Sequence, residues 1–381
     1  MDLVARTKIL RKALPIEGRV ILEDSSVEIV AHRFDATEEP NDISLLREQL
    51  QLSSFWEEGD SSIKENFHFN LYIFKPQGEA VYDKAILLLH GLNERTWDKY
   101  LVWAEYLAEK CNRPVILFPI AFHMDRTPNQ WKQPRWIMPW LEKRKNQLVD
   151  VITSTYFNLT ISSRLSQNPE RFYISGKESC YNICQLADKI NVGEFPFLEK
   201  GTHLDVFAYS IGSFLSQIIQ ISNPGGLFTT SKFFLFCGGS TFEKMNGVAR
   251  DILDYDANET LRHYYLDDFE EATNSNIYKK DDLYYAFSTM IKKENQEAER
   301  VRFFEKVKER IKIITLKKDV VIPTNGAIEA VGTVNSDLVK EIDFPYDYTH
   351  QVPFPMTGKV DSSILFANFS KVFDEAVLFF A

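Results

Sequence analysis

The stretch Leu204-Asp205-Val206-Phe207-Ala208-Tyr209-Ser210-Ile211-Gly212-Ser213-Phe214-Leu215-Ser216-Gln217-Ile218-Ile219 decides how the chain is read. Leu204–Ala208 is a mostly apolar run of strand length. Beyond Ser210, the residues Ile211, Phe214, Leu215, Ile218 and Ile219 recur at helical spacing until Asn223-Pro224-Gly225-Gly226 stops the helix. Ser210 therefore falls on the turn between a strand and an apolar-faced helix. Such a turn lifts a serine oxygen above the sheet edge, and small neighbours such as Ala208 and Gly212 let strand and helix approach closely. The helix N-terminus adds partial positive charge and free N–H groups where an oxyanion would form.

The same alternation recurs on both sides. Ala85–Leu89 is a continuous apolar run ending in His90-Gly91, as for a strand buried on both faces. Trp97, Tyr100, Leu101, Ala104, Ala108 and Cys111 then follow a helical period, and Val115–Phe118 is the next strand. Further strands are expected at Phe233–Cys237, Ile311–Leu316 and Leu338–Ile342, with an amphipathic helix over Ile364–Phe380. Strands alternating with helices favour a mostly parallel sheet with right-handed crossovers. Shorter β-like runs (Arg19–Leu22, Val27–His32, Phe67–Phe74) precede this unit.

Two further residues complete a constellation. Asp319 follows the Ile311–Leu316 strand and enters the apolar turn Val320-Val321-Ile322-Pro323. A carboxylate there can stay ionised and hold an imidazole by its ring N–H. His350 lies beyond the Leu338–Ile342 strand. Ser210, Asp319 and His350 thus each come shortly after a separate strand. Glu243, just past Phe233–Cys237, is the alternative acid.

On these residues the chain resembles the α/β-hydrolase superfamily, and within it a little-characterised bacterial branch of hydrolases. The resemblance runs from Lys84 to the C-terminus. It implies Ser210 as nucleophile, His350 as base and Asp319 as orienting acid, in a serine hydrolase cleaving an ester, thioester or amide. His90-Gly91-Leu92-Asn93 matches the family's His-Gly segment, which implies the Leu92 backbone N–H as an oxyanion donor beside Ile211. Two alternatives remain open: an acyltransferase on the same residues, or a catalytically silent scaffold of the same fold. Ala208 replaces the family's usual first elbow glycine.

The block boundaries follow from the rhythm. Residues 1–83 form an N-terminal extension with the first strands, 84–240 the first part of the core, 241–308 a helical lid, and 309–381 the second part of the core. A Trp/Pro-rich insertion occupies 121–145. Residues 241–300 carry 14 acidic against 8 basic side chains, interleaved with aromatics. An acidic rim over Ser210 selecting uncharged or cationic substrates is the expectation for this block. For the insertion, the expectation is that its tryptophans pack beneath the lid while its cations face the lid's acidic side.

Composition excludes several classes. The 381 residues are 44% apolar and 26% charged, ordinary for a chain with a sizeable core. Forty-four basic against 54 acidic residues, a net charge of −10, argue against a nucleic-acid binder. No apolar run approaches a spanning helix, and Met1–Ile16 lacks a signal-peptide pattern. Four scattered cysteines make no disulfide framework, which with the rest points to a cytoplasmic protein. The sequons at Asn158, Asn258 and Asn368 matter only in a secreted chain. Cys180 and Cys184, four apart, would share a helical face but have no two further ligands nearby, so no metal is expected; the hydrolase resemblance implies no organic cofactor. Gly176-Lys177-Glu178-Ser179 lacks the spacing of a phosphate loop. The partner implied is a small-molecule acyl substrate.

Overall fold

The computed structural model describes residues 1–36, 40–50, 59–147, 152–275 and 278–381. The described residues form one sheet of nine strands: β1 Gly18–Ile21, β2 Val27–Asp35, β3 His68–Pro76, β4 Tyr82–Leu89, β5 Val115–Phe118, β6 Leu198–Tyr209, β7 Phe233–Phe236, β8 Ile311–Leu316 and β9 Val339–Ile342. Their spatial order is β1-β2-β3-β5-β4-β6-β7-β8-β9. From β5 to β9 all neighbours are parallel, while β1, β2 and β3 pair antiparallel and β3 joins β5 antiparallel. A mostly parallel sheet flanked by helices, with β4 and β6 central and an antiparallel edge, is the α/β-hydrolase fold.

Strand periodicity distributes the core. In β4 the side chains of Ala85, Leu87 and Leu89 join one apolar layer, and those of Ile86 and Leu88 join the other. Both layers are covered by helices, so β4 reads as a continuous apolar run. The first layer is closed by the Arg171–Val192 and Ile211–Ser222 helices. The second is closed by the Asp98–Cys111 and Ser362–Phe380 helices, where Trp103, Phe369 and Phe373 are fully buried. Phe369 and Phe373, four apart on one helix face, stack with ring centroids 4.1 Å apart.

β6 is longer than its expected Leu204–Ala208 core. The helices Leu159–Gln167 and Arg171–Val192 correspond to no expected element. Polar residues of the second helix mask its pattern, because they are buried against distant chain. Glu178 accepts from Arg47 Nη2 at 2.7 Å and from Arg126 Nη2 at 2.8 Å. Asp60 likewise receives both Arg164 and Arg171. These carboxylate–guanidinium pairs tie the N-terminal segment to the helices behind the sheet's carboxyl edge.

Candidate functional site

Ser210 sits at the end of β6 with φ 57° and ψ −122°, a conformation that few non-glycine residues adopt. The turn is held by close backbone approach. A Cβ on Gly212 would lie 2.8 Å from the His90 carbonyl oxygen and 2.9 Å from Leu89, so only glycine fits. Ala208 is fully buried, and its carbonyl accepts from Ser213 Oγ at 3.1 Å.

The structure brings Ser210, His350 and Asp319 together. Ser210 Oγ is 2.7 Å from His350 Nε2, and His350 Nδ1 is 2.6 Å from Asp319 Oδ2. The other carboxylate oxygen accepts from the Val321 and Ile322 N–H groups, each at 2.9 Å. A carboxylate at Nδ1 requires a donor there, which leaves Nε2 to accept from the serine hydroxyl. All three side chains are buried. Glu243 is elsewhere: its Oε1 accepts from the Lys293 N–H at 2.6 Å.

The loop after β4 is fixed by its own polar groups. His90 accepts from the Ile120 N–H at Nε2 and donates to the Gly91 carbonyl from Nδ1. Burial, followed by the neighbouring His123, holds its pKa well below the ordinary histidine range, so the ring is neutral. The Gly91 N–H donates to the Tyr100 hydroxyl at 2.9 Å. Among the described residues neither Leu92 N–H nor Ile211 N–H has a hydrogen-bond partner. Both residues line the space beside Ser210. Two free amides beside a serine oxygen can hold developing negative charge.

Other contacts left no signal in the sequence. The Tyr209 hydroxyl donates to the His350 carbonyl, and the two rings stack with centroids 5.6 Å apart. Asn93 donates to the carbonyls of Phe157 and Asp251, linking the β4 loop to the block after β7. A two-residue pattern cannot reveal such contacts, because their partners are far apart in the chain.

The block 241–308 contributes helices Tyr255–His263, Asp282–Thr289 and Glu297–Lys306. Phe242, Leu253 and Leu261 line the space next to Ser210. Tyr265, Phe269 and Phe287 are buried inward, whereas Tyr255 and Tyr285 are exposed. Of its acidic residues, Asp267, Asp268, Glu270 and Glu271 are exposed, whereas Asp254 is buried. The open cleft containing Ser210 and His350 is lined by Arg95, Lys99 and Lys132 together with Glu94 and Asp251. The Trp/Pro insertion departs in part from expectation. Arg144 pairs with buried Asp254 of this block at 2.6 Å, but Arg126 is fully buried against Glu178. Trp131 packs on Ile63, Ala121 and Phe122.

Residues 23–381 match a family of unknown function, DUF6051. The chain belongs to that family. No curated protein matches it. Among solved structures it is similar to carboxyl esterase 2 of the mycorrhizal fungus Tuber melanosporum, at 12% identity and a TM-score of 0.43, covering 98% of this chain and 97% of that one. It is also similar to a Rhizomucor miehei esterase, at 14% identity and a TM-score of 0.41, with 91% of each chain covered. A Pyrobaculum calidifontis esterase follows at 11% identity and a TM-score of 0.39, covering 98% of this chain and 92% of that one. Among the described residues, no helix is long and apolar enough to cross a membrane, and no group of His, Cys, Asp or Glu could hold a metal ion.

Proposed function

We propose that this DUF6051 protein is a serine hydrolase that cleaves an ester, thioester or amide through an acyl-enzyme on Ser210. The observation that carries the reading is the continuous Ser210–His350–Asp319 hydrogen-bond chain at a strained strand–helix turn. Ser210 Oγ attacks the acyl carbonyl while His350 Nε2 takes its proton. Asp319 holds the imidazole tautomer and stabilises the imidazolium. The Leu92 and Ile211 amides receive the oxyanion, where losing one donor typically costs about 3 kcal/mol. His350 then protonates the leaving group, and water repeats the sequence to release the acid.

In this reading the helices of 241–308 act as a lid over the serine. The same reading places the protein in the cytoplasm, supported by four free cysteines. Asn158, Asn258 and Asn368 are buried and hydrogen-bonded, which makes them poor glycosylation acceptors. The test is labelling by a fluorophosphonate together with hydrolysis of activated esters. Labelling confined to Ser210, and lost with its replacement, supports the reading. A folded protein that neither labels nor turns over any ester refutes it.

A further inference from the structure

Behind the two free amides lies a cavity of about 110 Å³. It runs between the Leu159–Gln167, Arg171–Val192, Ile211–Ser222 and Asp282–Thr289 helices, and the surface it presents is mostly carbon. Leu165, Phe172, Phe214, Leu215, Ile218 and Phe287 supply much of that surface. The space next to Ser210 shares Leu92, Phe172 and Ile211 with this cavity, so the two adjoin at the proposed oxyanion donors.

Three cations in the lining pair with carboxylates outside it. Arg164 and Arg171 both bond Asp60, and Lys177 is 2.6 Å from Asp42 and 3.0 Å from Asp281. Their carboxylate partners are not part of the lining, and the Arg164 guanidinium also lies over the Phe122 and Trp131 rings. Arg95 and Lys132, which donate to the Phe157 and Met124 carbonyls, belong both to this lining and to the open cleft that contains His350.

Gly176 is the decisive position. It lies inside the 22-residue Arg171–Val192 helix, where glycine is disfavoured against alanine. It lines the cavity, and a Cβ built there meets no atom of the described residues within 4 Å. No close backbone contact or left-handed conformation requires glycine here. Its missing side chain leaves room in the cavity.

We propose that the cavity receives the apolar acyl chain of the substrate, and that Gly176 sets how long a chain is accepted. The assignment rests on the Ser210 reading above. His350 must reach the leaving group, so the leaving group occupies the cleft that His350 lines. The acyl substituent is then directed past Leu92, Phe172 and Ile211 into the carbon-lined space. The substrate class is an ester or thioester of an apolar carboxylic acid longer than acetic acid.

The experiment measures inactivation by p-nitrophenyl alkylphosphonates bearing methyl, butyl or octyl chains. Ser210 Oγ forms the P–O bond, p-nitrophenolate leaves, and His350 takes the proton, so no turnover is needed. Each methylene that enters the cavity should add about fourfold to the rate constant. The octyl-to-methyl ratio should fall about tenfold in Gly176→Leu, and less in Gly176→Ala. Ile218→Trp, which narrows the space from another helix, should lower the ratio in the same direction. Equal rates for methyl and octyl probes in the unaltered protein, or a ratio unchanged by both Gly176→Leu and Ile218→Trp, would overturn the proposal while leaving Ser210 as nucleophile. If no probe labels the folded protein at Ser210, the hydrolase reading fails and this one with it.

Discussion

The hydroxyl of Tyr209 donates a hydrogen bond to the backbone carbonyl of His350, so the residue preceding the elbow serine also holds the loop that supplies the imidazole. The two residues are 141 positions apart. Both are buried, so removing the hydroxyl would leave a buried carbonyl unsatisfied. Tyr209→Phe should therefore reduce kcat about tenfold with little change in KM, because the hydroxyl is committed to the His350 carbonyl while the ring that lines the cleft is kept. Steady-state kinetics on an activated ester separate the two constants, and a change confined to KM would contradict the positioning role.

Replacing Ser210 tests both chemistry and strain. Ser210→Ala should abolish turnover and fluorophosphonate labelling while the far-UV spectrum stays native. Ser210→Gly should be equally inactive but melt at a higher temperature than Ser210→Ala. Glycine adopts the φ of 57° without the roughly 1–3 kcal/mol cost carried by other residues. Equal melting temperatures would show that the turn stores no such strain.

The two candidate acids can be separated directly. Asp319→Asn places an amide beside His350 Nδ1, favours the wrong tautomer and should lower kcat about 10⁴-fold. Glu243→Gln should leave kcat/KM unchanged, since Glu243 contacts the Lys293 amide instead. The reverse pattern would transfer the acid role to Glu243.

Asp60 should be a stability residue. Burial pushes its pKa up, but Arg164 and Arg171 more than offset this and hold it at about 2, below the ordinary 3.8. A carboxylate with a depressed folded pKa stabilises the fold fully above its unfolded value, and the contribution is lost as pH falls from about 4 through about 2. Asp60→Asn leaves two buried guanidinium groups without their carboxylate and should cost about 3–5 kcal/mol. Urea unfolding at neutral pH measures the loss. The variant should also lose less stability than the unaltered protein between pH 4 and pH 2.

Composition alone does not say which charges of a block face solvent and which are buried in pairs. The 241–300 block carries an acidic excess, yet buried Asp254 is paired with Arg144, and Asp281 is paired with Lys177. The cleft wall carries Glu94, Arg95, Lys99 and Lys132 from other segments beside Asp251 of this block. The pattern of the Arg171–Val192 helix is masked for a related reason: Glu178 and Asn182 are buried polar residues satisfied by Arg126 and other distant groups. Amphipathic periodicity assumes that polar residues face water, and here they face each other.

The sequence by itself determined the strand–helix rhythm, the turn carrying Ser210 and the order in which Ser210, Asp319 and His350 leave their strands. Those features are local, since apolar periodicity and a glycine at a close approach follow from backbone geometry within a few residues. The tertiary structure decided which carboxylate meets His350, that Tyr209 holds the His350 carbonyl, and that Gly176 opens a carbon-lined cavity behind the serine. Each of these joins residues on separate elements through a few ångströms of space. Only the packing of the helices on the sheet fixes such distances.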